Sequence, residues 1–115
     1  MALDILKTAE TIHALEVFMD KRRPPKDIRD QLDLDYKIEN QSIIIFEVRP
    51  HWQKEDEKIE NPIAKTTWVK TQNYWKIFWM RADLKWHNYK PVPHVKTIEE
   101  FLTVIDNDVY GCFWG

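Results

Sequence analysis

The sequence predicts an α+β fold: a largely antiparallel sheet of five strands flanked by an N-terminal and a C-terminal helix. Three patterns carry that expectation. Ile5, Ala9, Ile12, Leu15 and Met19 recur at the three- and four-residue steps of one helical face. LDLDYKI, residues 32–38, alternates apolar and polar side chains with the period of a half-buried strand. Thr97-Ile98-Glu99-Glu100 has the reciprocal pattern of a helix start, with a hydroxyl that takes a free amide and a carboxylate that reaches back. At 115 residues the chain has the size of one domain, and residues 1–115 are expected to share one core.

Taken in order, the first helix covers residues 3–22. Lys21, Arg22 and Arg23 lie where cations suit the negative helix end, and Pro24-Pro25 stops it. Residues 25–31 allow one short helical turn. SIIIFEV, residues 42–48, is β-branched and aromatic and makes a second strand after Glu39-Asn40-Gln41, where Asn tolerates the positive φ of a tight turn. The charged stretch 52–62 reads as a surface loop. Strands follow at 63–71 and 74–82, joined around Gln72-Asn73, with a fifth at 86–91 after Asp83-Leu84. Ile98, Phe101, Leu102 and Ile105 form the buried stripe of the last helix. Phe113 and Trp114, costly to leave in water, dock back onto the fold.

Strand parity shows where the aromatic residues face. A two-residue turn at Gln72-Asn73 sets Lys70 opposite Trp75 and Trp68 opposite Ile77; one at Asp83-Leu84 sets Arg81 opposite Trp86 and Trp79 opposite Asn88. One face then gathers Trp68, Trp75, Ile77, Trp79 and Trp86 with Lys70, Arg81 and Lys90 between them. The other gathers Val69, Tyr74, Phe78, Met80, His87 and Tyr89. Both faces are apolar and only two sizeable helices exist to cover them, so the cover comes from the helices, from a second copy or from a ligand.

Charge is uneven although the net charge is −2. Residues 64–96 hold seven lysines and arginines against Asp83 alone, while the helical ends are acidic. A basic sheet neutralised by acidic helices accounts for this, as does a patch for an anionic partner.

Several chemistries are excluded. Glycine occurs only at Gly111 and Gly115, too few for a phosphate-cradling loop. Ser42 is the only serine and has no glycine beside it to shape a nucleophile elbow. Cys112, a lone cysteine, makes no internal disulfide and reads as a structural thiol in a reduced, cytoplasmic protein. His13, His51, His87 and His94 lack zinc-site spacing. No apolar run approaches the roughly 20 residues of a membrane span. No cofactor, metal or membrane partner is expected.

One enzyme-like constellation remains. Glu47-Val48-Arg49 resembles the Glu-x-Lys element that holds a metal in many nucleases together with an aspartate on the next strand. A three-residue turn at residues 39–41 puts Asp33, Asp35, Glu47 and Arg49 on one face; a two-residue turn puts Glu47 beside Leu32 instead. Acid–base pairing across a solvated sheet produces the same pattern without catalysis.

Arg23-Pro24 after the first helix, EVRPHW (47–52), the W-x-x-x-W-x-R-x-D-x-K-W-x-x-Y run (75–89) and the Asp108-to-Gly115 end with its F-W-G resemble the bacterial family catalogued as domain of unknown function 3024. The resemblance spans nearly the whole chain. It implies a bacterial, one-domain, cytoplasmic protein of a kind carried on mobile gene cassettes, and it supplies no activity or catalytic residue.

The residues favour a non-catalytic interaction module. Its aromatic face, with Trp68, Trp75, Trp79, Trp86, Lys70 and Arg81, would mediate self-association as a dimer or bind a protein partner. Single-stranded nucleic-acid binding by the same face is the second expectation. A metal-dependent nuclease using Asp35, Glu47 and Arg49 is the third.

Overall fold

The computed structural model describes residues 3–54 and 56–114. Helix α1 (Ile5–Arg22) is followed by a 3-10 turn (Lys26–Ile28), strands β1 (Asp33–Glu39), β2 (Ser42–Pro50), β3 (Lys58–Val69), β4 (Tyr74–Met80), β5 (Trp86–Asn88) and β6 (His94–Val95), and helix α2 (Ile98–Asn107). The fold is α+β, with every strand pair antiparallel. The sheet runs β1-β2-β3-β4-β5, and β6 also pairs with β4.

β6 is a strand the sequence pattern did not suggest, and the fifth strand stops at Asn88 rather than residue 91. Prolines explain both. The Tyr89 amide donates to the Ile77 carbonyl and the Ile77 amide donates to that of Pro93, so Lys90-Pro91-Val92 loops out of one interrupted edge strand. Pro91 and Pro93 have no amide to offer a ladder. β3 begins at Lys58, inside the stretch expected to be a loop, because its charged residues continue the ladder beyond a bulge. There Ile45 faces Ala64 and Phe46 faces Pro62, which leaves Ile63 as the extra residue. Ile63 and Ala64 both reach the core.

Both helices pack on the same face of the sheet. Leu15 and Phe18 from α1, Phe101 and Ile105 from α2, and Ile43, Ile45, Trp75 and Ile77 from the strands share one buried cluster. The α2 stripe is the expected one, and Thr97 Oγ1 accepts the Glu100 amide at 3.1 Å. The buried stripe of α1 is not. Thr11, Ala14, Leu15, Phe18 and Met19 face inward, while Ile5 is 91% exposed and Ala9 and Ile12 also face solvent. Apolar residues occur all round α1, so its periodicity fixed the helix but not its rotation.

The termini of α1 and α2 are tied to their surroundings by ions and rings. Arg23 grips Asp33 with two hydrogen bonds of 2.7 Å, and Arg22 pairs with Asp106 while lying 4.0 Å over the Trp114 ring. Intramolecular contacts therefore engage Arg22 and Arg23 of the basic triplet. Tyr36 on β1 donates to Glu16 of α1 at 2.8 Å; burial, then that carboxylate, pushes its hydroxyl up to about 12.

The end of the chain does dock. Asp108 caps α2 in the left-handed region, φ 40°, and its carboxylate accepts the amides of Phe113 (3.1 Å) and Trp114 (2.8 Å). Trp114 Nε1 donates to the Ile105 carbonyl, and buried Phe113 packs against Tyr89 with centroids 4.9 Å apart. Charged acceptors make hydrogen bonds contributing about 1.5–3 kcal/mol. Asp108→Ala should therefore lower the unfolding free energy by about 2 kcal/mol in chemical denaturation and raise the Trp114 emission wavelength.

Acid should act partly through Asp33. Its hydrogen bond from Arg23 holds it below the usual carboxylate range, against the opposing effect of burial. A depressed folded-state value means that the stabilisation is full above the unfolded value and is lost as pH falls through the folded one. The pair is partly exposed, so Asp33→Asn should flatten the acid limb of a stability-against-pH curve by about 1 kcal/mol or less.

Candidate functional site

Loop length decides which rings share a face. β1 and β2 are joined by the two-residue turn Asn40-Gln41, with Asn40 at φ 55°, so Glu39 faces Ser42. Lys70–Asn73 form a four-residue loop, and Trp68 faces Trp75 rather than Ile77. That shift of two residues preserves sidedness. The next one does not. The Arg81 amide donates to the Lys85 carbonyl, which leaves Ala82-Asp83-Leu84 as the loop, with Leu84 at φ 63°. A three-residue loop closed by a left-handed residue carries a bulge, so Met80 faces Trp86 and Trp79 faces His87. Shifting the pairing by one residue turns every side chain of β5 over.

The expected surface of four tryptophans is therefore not a single face. Trp75 is fully buried, and Trp68 and Trp79 are half-buried against the core under the helices. Trp68 lies 5.2 Å from Trp75, capped by Lys7 at 4.0 Å. Trp86 lies on the opposite face. Lys70 is in the loop before β4, Arg81 follows the last residue of β4, and Lys90 is in the proline-rich bulge. Arg81 still reaches the Trp79 ring, at 5.5 Å.

The face opposite the helices has two registered rows. Lys37, Ile44, Lys65, Phe78 and Asn88 follow one another from β1 to β5. Glu39, Ser42, Thr67, Lys76 and His94 make the row beside it. Ser42 and Thr67 share a hydrogen bond of 2.7 Å, and Tyr74 meets His94 edge-on at 4.2 Å. Lys65 Nζ lies 5.4 Å from the Phe78 centroid and 6.0 Å from that of Trp86; Lys76 Nζ lies 5.6 Å from Phe78. Ile44, Phe78, Met80 and Trp86 are half-buried and belong to no part of the helix-covered cluster.

Charge on this face is divided. At the β1 end Lys37 is neutralised by Glu60 at 3.2 Å and Glu39 at 3.8 Å, and it also covers the buried Phe46 ring at 5.4 Å. Among the described residues, neither Lys65 nor Lys76 has an acidic partner within 4.0 Å. Two unneutralised cations thus flank an aromatic pair, on the face opposite the expected one. Sequence could have shown this: Lys37, Lys65 and Lys76 fall on one face of the sheet, whereas their strand neighbours Ile38, Ala64 and Trp75 fall with the larger apolar set.

The nuclease-like set is separated. Glu47 faces Leu34, not Leu32, on the helix-covered side, while Asp35 faces Phe46 on the other. Arg49 pairs with Glu47 at 3.3 Å, and Asn61 bonds the same oxygen at 3.5 Å. Among the described residues no three metal-ligating side chains gather. His87 bonds Asp83 at 2.8 Å and, with the Lys85 amide, holds that carboxyl below its usual range. It shares no site with His94. Burial, then Asp108, pushes the Cys112 thiol up, away from a reactive thiolate. No helix among the described residues is long and apolar enough to cross a membrane.

No curated protein and no solved structure matches the chain. One family model does, and it spans the segments that build both faces of the sheet, from the start of α1 to the docked tail. The chain belongs to the family described as Domain of unknown function (DUF3024), whose model matches residues 3–115.

Proposed function

We propose that the chain is a non-catalytic interaction module and that the helix-free face of its sheet takes a single-stranded nucleic acid. The observation that supports this reading is the placement of Lys65 and Lys76 around Phe78 and Trp86 without acidic partners among the described residues. Single strands need rings on which bases stack and cations that follow the phosphates. Strands lie about 4.8 Å apart, so Lys65, Phe78 and Asn88 offer a cation, a ring and an amide at regular steps. A reduced, cytoplasmic setting and one domain over residues 1–115 accord with this reading, since the lone Cys112 has no partner in the chain.

A second copy of the chain is the other reading, and one observation favours it. Around Lys37 the face carries Asp35 and Glu39 of β1 and Glu60 of β3, an excess of acids, while farther along β3 and β4 it carries Lys65 and Lys76. A twofold axis near the middle of the face would set acids against lysines.

The two readings separate in solution. With a labelled single-stranded oligonucleotide, anisotropy should show binding that weakens with salt at a logarithmic slope of about −1.4, about −0.7 for each of two neutralised phosphates. Lys65→Glu should weaken it, and Trp86→Ala should cost about 1–3 kcal/mol, the contribution of one stacked base. Absence of binding at low salt eliminates the nucleic-acid reading. A dimeric sedimentation mass that Lys65→Glu converts to a monomer would instead establish the second.

A further inference from the structure

Besides cations and rings, the helix-free face carries a pair of hydroxyls. Ser42 of β2 and Thr67 of β3 stand opposite each other, both half-buried, with their side-chain oxygens 2.7 Å apart. Only one proton lies between two such oxygens. Whichever hydroxyl donates, the other keeps an O–H to give, and lone pairs remain on both. Among the described residues neither oxygen makes a further hydrogen bond. The adjacent Thr66 behaves differently: it is fully buried, on the helix-covered side, and its Oγ1 donates to the Lys76 carbonyl at 2.8 Å.

The register places this pair beside both unneutralised lysines. Thr67 faces Lys76 across the β3–β4 ladder, and two residues along the same strands Lys65 faces Phe78. These four positions outline a rectangle of about 4.8 Å by about 6.7 Å. The lysines occupy one diagonal, the ring and the threonine the other. Ser42 continues the Thr67 row away from the cations, toward Glu39. A carboxylate at that end repels phosphate but not a neutral hydroxyl. Charge therefore orders the row, with phosphate favoured at Lys76 and a neutral polar group at Thr67 and Ser42. In a nucleotide the sugar links phosphate to base. With the phosphate on the lysines and the base on Phe78, the sugar comes over the remaining corner, at Thr67.

We propose that the helix-free face prefers RNA to single-stranded DNA, and that the Ser42–Thr67 hydroxyl pair reads the ribose 2′-hydroxyl. This rests on the nucleic-acid reading of the face and adds to it the kind of strand. A 2′-hydroxyl both donates and accepts, and it is the group by which a protein tells RNA from DNA. The pair is its complement: the spare proton goes to the 2′ oxygen, or a free lone pair takes the 2′ proton. Deoxyribose presents only C–H there. The two side chains then keep the bond they already share and gain none, so DNA binds through stacking and charge alone, and less tightly.

Labelled oligouridylate and oligodeoxyuridylate of equal length differ only in the 2′-hydroxyl, so titrating the whole protein with each, by anisotropy at low salt, tests the assignment. The RNA should bind about fivefold more tightly, the contribution of one neutral hydrogen bond. The salt slope should be the same for both, because they share the phosphate contacts. In Thr67→Val and in Ser42→Ala the affinity ratio should fall to about one. Lys65→Glu should weaken both oligomers. A 2′-O-methyl oligouridylate keeps the ribose but lacks the proton and adds a methyl group, and it should bind no better than the DNA. Equal affinity for RNA and DNA, a ratio that survives both hydroxyl variants, or 2′-O-methyl binding as tight as RNA overturns the hydroxyl contact and leaves the face a general single-strand binder. Binding of neither oligomer overturns the reading of the face itself, and this inference with it.

Discussion

Burial of Trp75 and Ile77 beneath the helix pair is the constraint on which the rest depends. Both residues belong to β4, the strand that pairs with β3 on one edge and with both β5 and β6 on the other. Phe101 and Ile105 of α2 and Leu15 of α1 close over the same cluster. Fully burying one large apolar side chain contributes about 1.5–3 kcal/mol, so this centre fixes which side of the sheet the helices take. Once both helices are committed there, the other side of a thin sheet has no helical layer left to cover it.

Much of this was legible in the sequence. The helices, the positions of all five expected strands and the docking of Phe113 and Trp114 follow from periodicity, capping residues and the cost of exposed rings. Sidedness up to β4 was legible too, because an error of two residues at the Lys70–Asn73 loop leaves parity intact. The failure came at Ala82-Asp83-Leu84. Leu84 takes a left-handed φ that costs a non-glycine residue about 1–2 kcal/mol, and nothing in its type announces it. Because that loop has an odd length, Trp86 changed face, and the surface inferred from four tryptophans became three core indoles and one outlying ring.

The same logic explains why the aromatic run from Trp75 to Tyr89 looked like a binding surface. Along β4, odd positions hold the residues that build the core and even positions hold Lys76, Phe78 and Met80. Reading the run alone gives weight to tryptophans; reading it with β2 and β3 gives weight to lysines that share a face. A ring next to a cation on a solvated face differs physically from a larger ring under a helix. Only the former keeps its π surface within reach of another molecule.

The proline bulge at Lys90–Pro93 has a consequence for how copies of this chain can meet. A sheet has two lateral margins, and each is a template on which further strands could add. Here one margin is interrupted where Pro91 and Pro93 offer no amide, and the other, β1, alternates Asp33, Asp35, Lys37 and Glu39 outward. Charge on one border and missing amides on the other both disfavour sideways growth into a continuous ribbon, a constraint that the broad sides of the sheet do not carry.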